Sequence, residues 1–278
     1  MTNVTQPLET GVAAEPAETK LSLVTISFNQ VRFLEECLRS VLEQGLPGVE
    51  YIVVDAGSSD SSREIIERYA HRLTAKIFER DRGPADGLNK GFGRATGNVF
   101  GYVNSDDRLV PGALAYVKRY FDEHPHVDVL CSAIRIIDEK GRRKLRSRIP
   151  DAFDLADYAS GICTVGQQAT FFRRQAFEAV GGFNIDNRIC WDGELLVDMA
   201  LNGVRFATDK RVLGDFRIYP GTLTGSGAFR SPEYGAIRKR LAEKIRARGA
   251  RLHSPAKERV LQLAYRANLL RHVRYLMA

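Results

Sequence analysis

Two adjacent carboxylates are the first candidates for chemistry, because they directly follow a short apolar run. Asp106 and Asp107 come after residues 99–103, a pattern typical of a buried strand, with Asn104 and Ser105 between. Two carboxylates at a strand end repel each other unless a cation lies beside them. Such oxygen ligands suit Mg²⁺ or Mn²⁺ shared with substrate phosphates. The alternative is an ordinary cap of the following helix, and the motif alone leaves both open.

A further carboxylate, Asp55, ends another strand pattern and precedes the small residues Gly57, Ser58 and Ser59. A carboxylate in this position can accept a hydrogen bond from a base or a ribose edge, while the small residues leave backbone N–H groups open. The same residues also fit a plain strand-to-helix turn that Asp60 caps. Both interpretations stay open at this point.

A polar, glycine-rich segment follows the third strand pattern. It consists of the turn Asp81-Arg82-Gly83 and the helix-like residues 85–91, which include Lys90. Glycines let a ligand approach the backbone, and Arg82 and Lys90 offer cations to a diphosphate. The alternative is a solvated first turn of a helix.

The elements that must position these residues alternate between strand and helix. The predicted strands are residues 21–27, 51–55, 76–78 and 99–103, and the predicted helices begin near residues 31, 61, 85 and 111. This alternation predicts an α/β fold with a mainly parallel sheet flanked by helices. Ligands bind at the carboxyl ends of such strands, and Asn29, Asp55, Asp81, Asp106 and Asp107 all follow those ends. The sequence therefore predicts one site at that edge of the sheet.

The second half of the chain has a less regular pattern. Its predicted parts are a strand at 127–137, a loop at 146–166, a strand-like segment at 167–172, a helix at 191–201, a strand at 204–208, a loop at 216–227, and basic helices at 232–248 and 255–277.

The composition of the 278 residues is that of a globular protein, with 44% hydrophobic and 27% charged residues. The net charge of +7 is concentrated in residues 236–278, which carry 12 lysines and arginines against two acids, so the rest of the chain is mildly acidic. This distribution argues against nucleic acid as a partner. Four cysteines without a C-x-x-C pair, and no export signal, predict reduced thiols in a cytoplasmic protein.

The ordered motifs resemble those of the family 2 glycosyltransferases. They are Val24-Thr25-Ile26-Ser27-Phe28-Asn29, Val53-Val54-Asp55-Ala56-Gly57-Ser58-Ser59-Asp60-Ser61, Asp81-Arg82-Gly83, Asn104-Ser105-Asp106-Asp107 and Trp191-Asp192-Gly193-Glu194-Leu195. The resemblance covers roughly residues 21–227. It implies a GT-A fold, a nucleotide-diphospho-sugar donor and a transfer that inverts the anomeric carbon.

The resemblance also implies roles for individual residues. Asp192 matches the general base, with Glu194 as the reserve candidate, and Asp107 matches the direct ligand of Mn²⁺ or Mg²⁺. The implied nucleotide and donor site consists of Thr25, Ser27, Asn29, Asp55, Asp81, Lys90 and Asp106.

Three positions depart from the family pattern. Asn104 stands where Asp is frequent, Gly193 replaces an aromatic residue beside the base, and Tyr219 stands where histidine is common. The substitution at residue 193 is expected to open room for an acceptor.

The expected organisation is a flexible leader (1–20), a catalytic domain (21–230) and a helical extension (231–278). The catalytic domain is divided into a nucleotide-sugar half (21–110) and an acceptor half (111–230). The expected acceptor is a glycan or a lipid-linked molecule. The basic C-terminal helices fit contact with the inner face of the cytoplasmic membrane, and they equally fit packing on the domain or a homodimer.

Two other functions compete with transfer. A nucleotide-sugar-binding protein without activity would keep the fold, but the intact Asp106, Asp107 and Asp192 argue against it. A sugar nucleotidyltransferase would carry a glycine- and arginine-rich loop after the first strand, where this chain has residues 29–32, Asn-Gln-Val-Arg.

Overall fold

The computed structural model describes residues 18–150, 152–161, 163, 165–259 and 261–262. Parallel strands form one half of its sheet, in the order β3-β2-β1-β4. They are β1 (Leu21–Ser27), β2 (Glu50–Asp55), β3 (Ala75–Phe78) and β4 (Val99–Tyr102). These runs are almost continuously apolar because helices cover both faces of the sheet. The four predicted strands are confirmed to within one residue at each end.

The helices of the first half connect these strands. They are α1 (Val31–Leu42), α2 (Ser62–Tyr69), α3 (Pro84–Phe92) and α4 (Ala113–Glu123). One core packs α1, α2 and α4 on one face of the sheet, through Leu34, Ile66 and Leu114. A second core packs α3 on the opposite face, through Leu88 and Phe92.

Antiparallel pairing enters in the second half, where β8 (Thr170–Arg173) lies between β4 and β6 (Val129–Ile137). The edge is completed by β5 (Arg108–Leu109) and β9 (Phe206–Arg217), and β7 (Arg143–Arg148) pairs with β6. The predicted α/β class is confirmed.

Several predictions for the second half are wrong. The loop predicted at 216–227 contains the end of β9 and a short helix (Leu223–Ser226), and the strand-like segment at 167–172 becomes a strand only from Thr170. The interval 146–166, predicted as a loop, contains the end of β7 and a helix, α5 (Leu155–Ala159). The strand predicted at 204–208 instead extends to Arg217, because β6 offers it a long parallel partner. The charged residues 209–211 in its middle hide this strand from any apolar pattern.

The remaining helices are α6 (Arg174–Ala179), α7 (Trp191–Leu201), α8 (Leu223–Ser226) and α9 (Pro232–Ala247). Helix α7 has the predicted bounds, and α9 ends one residue before its prediction. Of the second basic helix, residues 255–259 are helical, whereas most of its predicted length and residues 1–17 of the leader lie outside the described residues. Within the described part of the chain, no helix has the length and apolar character needed to cross a membrane.

Candidate active site

A cleft of about 600 Å³ opens at the carboxyl ends of the parallel strands. We call it the main cleft. The first half of the chain contributes Ser27, Phe28, Asp81, Arg82, Asn104, Asp106 and Asp107, and the second half contributes Gln168, Arg188, Trp191, Asp192, Thr222 and Leu223, among others. The main cleft therefore lies at the predicted edge of the sheet.

Asp107 is fixed by protein donors on both carboxylate oxygens. Its Oδ1 accepts from the backbone N–H of Arg217 at 2.8 Å, and its Oδ2 accepts from Nε2 of Gln168 at 2.7 Å. The side chain is only 2% exposed. Burial, and then the neighbouring charge of Asp106, raises the pKa of Asp107 well above its usual range.

Asp106 lies beside it with a carboxylate that accepts no hydrogen bond from another described residue. Its backbone carbonyl accepts from Nε of Arg217 at 2.7 Å, which fixes the turn while the side chain faces the main cleft. Burial raises the pKa of Asp106 as well. Nearby, Oδ1 of Asn104 is buried without a hydrogen-bond partner among the described residues. Two crowded acids and an unpaired amide oxygen form a set of hard ligands suited to a divalent cation.

Asp192 reaches the main cleft from the other half of the chain. It lies in the first turn of α7, which begins at Trp191, and burial raises the pKa of its carboxyl group. Backbone N–H groups of Asp192 and Gly193 partly oppose this shift. A half-buried carboxylate with a raised pKa is suited to accept a proton.

Glu194 does not line the main cleft, although it lies only two residues further along the chain. Its carboxylate accepts from Nδ2 of Asn187 at 2.7 Å and from Arg240 of α9 at 2.8 Å. Lys244 forms a second ion pair with it at 3.4 Å. Burial acts to raise the pKa of Glu194. The hydrogen bonds from Asn187 and Asn184 and the two cations outweigh burial, so the pKa is lowered. Glu194 thus holds α9 on α7.

Among the residues predicted to bind the donor, Ser27, Asp81 and Asp106 line the main cleft. The hydroxyl of Ser27 is buried and has no partner among the described residues. Oδ1 of Asp81 accepts from the N–H of Gly83 at 2.9 Å, and burial raises its pKa.

Asp55 is fully buried and bonded within its own turn. Its Oδ1 accepts from the N–H of Ser58 at 2.9 Å and from Nε of Arg63 at 3.0 Å. Burial acts to raise the pKa of Asp55, but the hydrogen bonds of Ser58, Arg63 and Gly57 outweigh it and lower the pKa. The role of Asp55 toward a nucleotide stays a prediction.

Three further predicted donor residues, Thr25, Asn29 and Lys90, are not part of the lining of the main cleft. The hydroxyl of Thr25 pairs with that of Tyr51 at 2.8 Å inside the sheet. Asn29 adopts a left-handed conformation (φ 53°), and its Oδ1 accepts from the N–H of Ser59 at 2.8 Å; the cap residue of α1 is Gln30. Lys90 donates to the carbonyl of Arg80.

The glycines of α3 have a packing role that differs from the expected ligand approach. A Cβ on Gly91 would lie 2.5 Å from a methyl group of Val24, and one on Gly87 would lie 2.7 Å from Oδ2 of Asp81. Only glycine lets α3 lie this close to β1.

Sequence reasoning missed Gln168 and Arg217, which hold Asp107 and Asp106. Arg217 is 1% exposed, and its guanidinium also donates to Glu36 and to the carbonyl of Glu139. An arginine gives no sequence signal of burial, so the sequence does not predict this role. Tyr219, in the place of the common histidine, packs its ring on Phe33 with centroids 5.0 Å apart.

A mixed α/β sheet with an acidic pair after β4 and a carboxylate at the start of α7 on one cleft defines a GT-A fold. Residues 22–181 match the model of the family described as glycosyl transferase family 2. This match covers more than half of the chain, so the protein belongs to that family and is a glycosyltransferase.

Individual relatives agree with this assignment. An uncharacterized glycosyltransferase of Nostoc sp. is 27% identical over 78% of this chain and 70% of its own length. A PGL/p-HBAD biosynthesis glycosyltransferase of Mycobacterium bovis is 29% identical over 63% of this chain and 68% of its own length.

Solved structures share the fold at lower identity. Staphylococcus aureus TarS in complex with UDP-GlcNAc aligns with a TM-score of 0.67 and 23% identity, over 88% of this chain and 71% of that one. A mannosyltransferase from Pyrobaculum calidifontis, in complex with GDP-Man and Mn²⁺, aligns with a TM-score of 0.58 and 20% identity, over 98% and 88% of the two chains.

Proposed function

We propose that this glycosyltransferase moves a sugar from a nucleoside-diphosphate sugar to a hydroxyl group of a glycan or lipid-linked acceptor, with inversion and with help from a divalent cation. The observation that carries the proposal is that Asp106 and Asp192, from different halves of the chain, line one cleft. The UDP-GlcNAc and GDP-Man complexes of structural neighbours support the donor class.

The residues at the end of β4 fit a cation. Asp106 would hold it through its carboxylate, to which no other described residue donates, assisted by the buried Oδ1 of Asn104. Bound there, Mn²⁺ or Mg²⁺ would stabilise negative charge on the departing diphosphate. The geometry favours Asp106 over Asp107 as direct ligand, because both oxygens of Asp107 already accept hydrogen bonds from protein donors. The ligand role that the resemblance implies for Asp107 stays a prediction.

Asp192 would act as the general base. As the acceptor oxygen forms its bond to the anomeric carbon, the bond from that carbon to the diphosphate breaks, and the hydroxyl proton passes to the Asp192 carboxylate. Attack opposite the departing group inverts the anomeric carbon. Burial favours this role because it raises the proton affinity of Asp192.

The experiment measures thermal stabilisation by UDP, GDP, dTDP and CMP, each with and without Mn²⁺, and then transfer from the matching nucleotide sugar. A ligand that binds only the folded state raises stability in proportion to ln(1 + [L]/Kd). We expect one nucleotide to give a Mn²⁺-dependent shift. Absence of a shift with all four would contradict the donor site.

The variant Asp192→Asn separates transfer from mere binding. It should keep the nucleotide shift and lose turnover, whereas Asp186→Asn, at an exposed neighbouring position outside the main cleft, should keep both. Wild-type protein that binds nucleotide sugar but gives no transfer or hydrolysis would favour the binding-protein alternative instead.

A further inference from the structure

A second cavity, of about 400 Å³, lies between α5, α7 and α9. We call it the second cavity. It meets the main cleft at Arg148 and Val165, which line both. The consecutive residues Asp192 and Gly193 divide between the two: Asp192 lines the main cleft and Gly193 lines the second cavity. The proposed base therefore lies at the junction of the two spaces.

Gly193 lies close to Tyr158 at this junction. A Cβ on residue 193 would lie 3.0 Å from the hydroxyl oxygen of Tyr158, which comes from α5 and also lines the second cavity. A larger side chain at residue 193 would have to displace Tyr158. The aromatic residue that the family pattern has next to the base is thus absent, and Tyr158 lies beside residue 193 in its place.

Tyr158, Ser160 and Tyr234 bring polar groups to the walls of the second cavity, but other parts of the walls are apolar. Val197, Leu241, Ile245 and Leu252 form these apolar parts, together with the thiols of Cys163 and Cys190. A cavity of this size and lining can enclose the apolar part of a small ligand. Most of these residues lie beyond residue 181, where the match to the family model ends, so the second cavity belongs largely to this chain's own C-terminal part.

The charges around the second cavity are mostly positive. Arg148, Arg238 and Arg246 line it, against the single acid Glu258 among the described residues. His253 pairs with Asp157 at 2.6 Å, and Arg238 donates to the carbonyl of Ala159. The guanidinium of Arg246 is exposed, and no described residue bonds to it. Apolar walls with an available cation at the rim match an amphiphile that carries a negative charge.

We infer that the second cavity binds the acceptor, and that this acceptor is an anionic amphiphile whose apolar part packs between α7 and α9 while its hydroxyl-bearing end reaches Asp192. The inference rests on the proposed function and specifies its acceptor class. It assigns Gly193 and Tyr158 to the passage through which the acceptor hydroxyl approaches the base.

The test uses the full-length protein and the fluorescence of Trp191, the only tryptophan in the chain. Decyl phosphate is titrated below its micelle concentration, with decyl maltoside as the neutral amphiphile and inorganic phosphate as the anion without an apolar part. We expect a saturable change with decyl phosphate and binding at least about tenfold weaker, about 1.4 kcal/mol, with either control ligand. Equal binding of decyl maltoside would overturn the charge requirement, and equal binding of phosphate would overturn the apolar one.

Two pairs of variants locate the binding. Ala242→Phe fills the second cavity from α9, whereas Ala247→Phe adds the same ring at an exposed position of the same helix. Arg246→Gln removes the cation at the rim, and Arg251→Gln removes an exposed arginine outside the lining. Only Ala242→Phe and Arg246→Gln should weaken binding of decyl phosphate, and equal effects within each pair would refute the inference.

Nucleotide binding, measured on the same samples, separates this inference from the proposed function. Decyl phosphate should bind together with the nucleotide and Mn²⁺ without competing. Competition would mean that decyl phosphate occupies the main cleft, and it would overturn the second cavity as its site. Nucleotide binding without any amphiphile binding would refute only the acceptor site, and amphiphile binding without nucleotide binding would refute the donor site and the acceptor role with it.

Discussion

The backbone N–H of Arg217 donates to Oδ1 of Asp107 across 2.8 Å, and Nε of the same arginine donates to the carbonyl of Asp106 at 2.7 Å. The last residue of β9 therefore holds the acidic motif after β4, although 110 residues separate Arg217 from Asp107 in sequence. The guanidinium of Arg217 also lies over the ring of Phe33, 4.6 Å from its centroid. The acidic pair is thus positioned by an arginine that is itself buried.

Replacement of Arg217 by Met should destabilise the protein by about 3 kcal/mol, because it leaves partly buried carbonyl oxygens without this donor and removes one of the two arginines that pair with Glu36. Urea unfolding measures this loss. Arg119→Met is the control, because the Arg119 side chain is 60% exposed and its ion-pair partner Glu123 is exposed as well. This variant should change the stability by less than about 0.5 kcal/mol. Equal losses in both variants would show that Arg217 has no special role.

Asp106→Asn and Asp107→Asn should separate metal binding from support of the motif. No other described residue donates to the Asp106 carboxylate, so its variant should lose the Mn²⁺ dependence of nucleotide binding. It should also stabilise the metal-free protein, because it removes the charge that repels Asp107. Asp107→Asn should keep part of the Mn²⁺ dependence. Nucleotide titrations with and without Mn²⁺ decide, and the reverse result would assign the metal to Asp107, as the family resemblance implies.

Asp192→Asn should lower turnover by roughly 10²- to 10⁴-fold, the usual contribution of a positioned base. Because burial raises the pKa of Asp192, the acid limb of kcat/KM in the wild type should lie above about 3.9, the value of an ordinary Asp. Activity should be lost as the pH falls through this raised value. An acid limb of kcat/KM at or below the pKa of an ordinary Asp would contradict the assignment of Asp192 as the base.

The same shift predicts an effect on stability. A carboxyl group whose pKa is raised in the folded state makes its full contribution to stability when the pH is below its unfolded-state pKa. This contribution is lost as the pH rises through the folded-state pKa. The ionised Asp192 of the wild type is therefore unfavourable near neutral pH. Asp192→Asn should melt at a higher temperature than wild type at pH 7.5, and the difference should vanish near pH 4. An inactive variant that is also less stable would indicate misfolding instead.

Glu50 should set much of the acid sensitivity of the fold. Burial acts to raise its pKa, but hydrogen bonds from Lys20, Ser22 and Thr96 lower it to about 2. A carboxyl group whose pKa is lower in the folded state stabilises the fold at pH values above its unfolded-state pKa. For Glu50 this stabilisation is lost as the pH falls from about 4.5 to about 2. Glu50→Gln should cost about 3 kcal/mol at neutral pH.

Denaturant unfolding at several pH values tests this contribution of Glu50. The residue lies at the start of β2, at the opposite end of the strands from the main cleft, so nucleotide affinity should not change. Glu67→Gln, at a half-exposed carboxylate paired with Lys76, is the control and should be nearly neutral. A Glu50 variant that remains as stable as wild type would contradict the pKa shift.

The sequence predicted the first half of the fold well because β1 and β2 are apolar, β-branched runs that end at polar residues. The same logic led to Asp106, whose strand-end position is a local feature, whereas Asp192 was assigned through the resemblance of its motif to the family. The burial of a charged residue such as Arg217 depends on distant parts of the chain, so no local sequence pattern predicts it. The strand at Arg143–Arg148 was missed because its sequence has no apolar pattern. The bond from Arg63 to Asp55 was missed for a similar reason, since the sequence does not specify where a long side chain turns.

Glu194 provides the last prediction, because it lies two residues from Asp192 and has the opposite role. It is 2% exposed and binds Arg240 and Lys244 of α9, so Glu194→Gln should cost about 1–3 kcal/mol. The cost stays moderate because both cations are more than 40% exposed and remain hydrated. Its pKa is lowered, so the stabilisation should disappear as the pH falls below about 4.3. Thermal melts and transfer rates of the two single variants together give the test: Glu194→Gln should lose stability and keep most turnover, whereas Asp192→Asn should do the reverse. If Glu194→Gln abolished turnover in a protein that still melted like wild type, the base would have to be reassigned to Glu194.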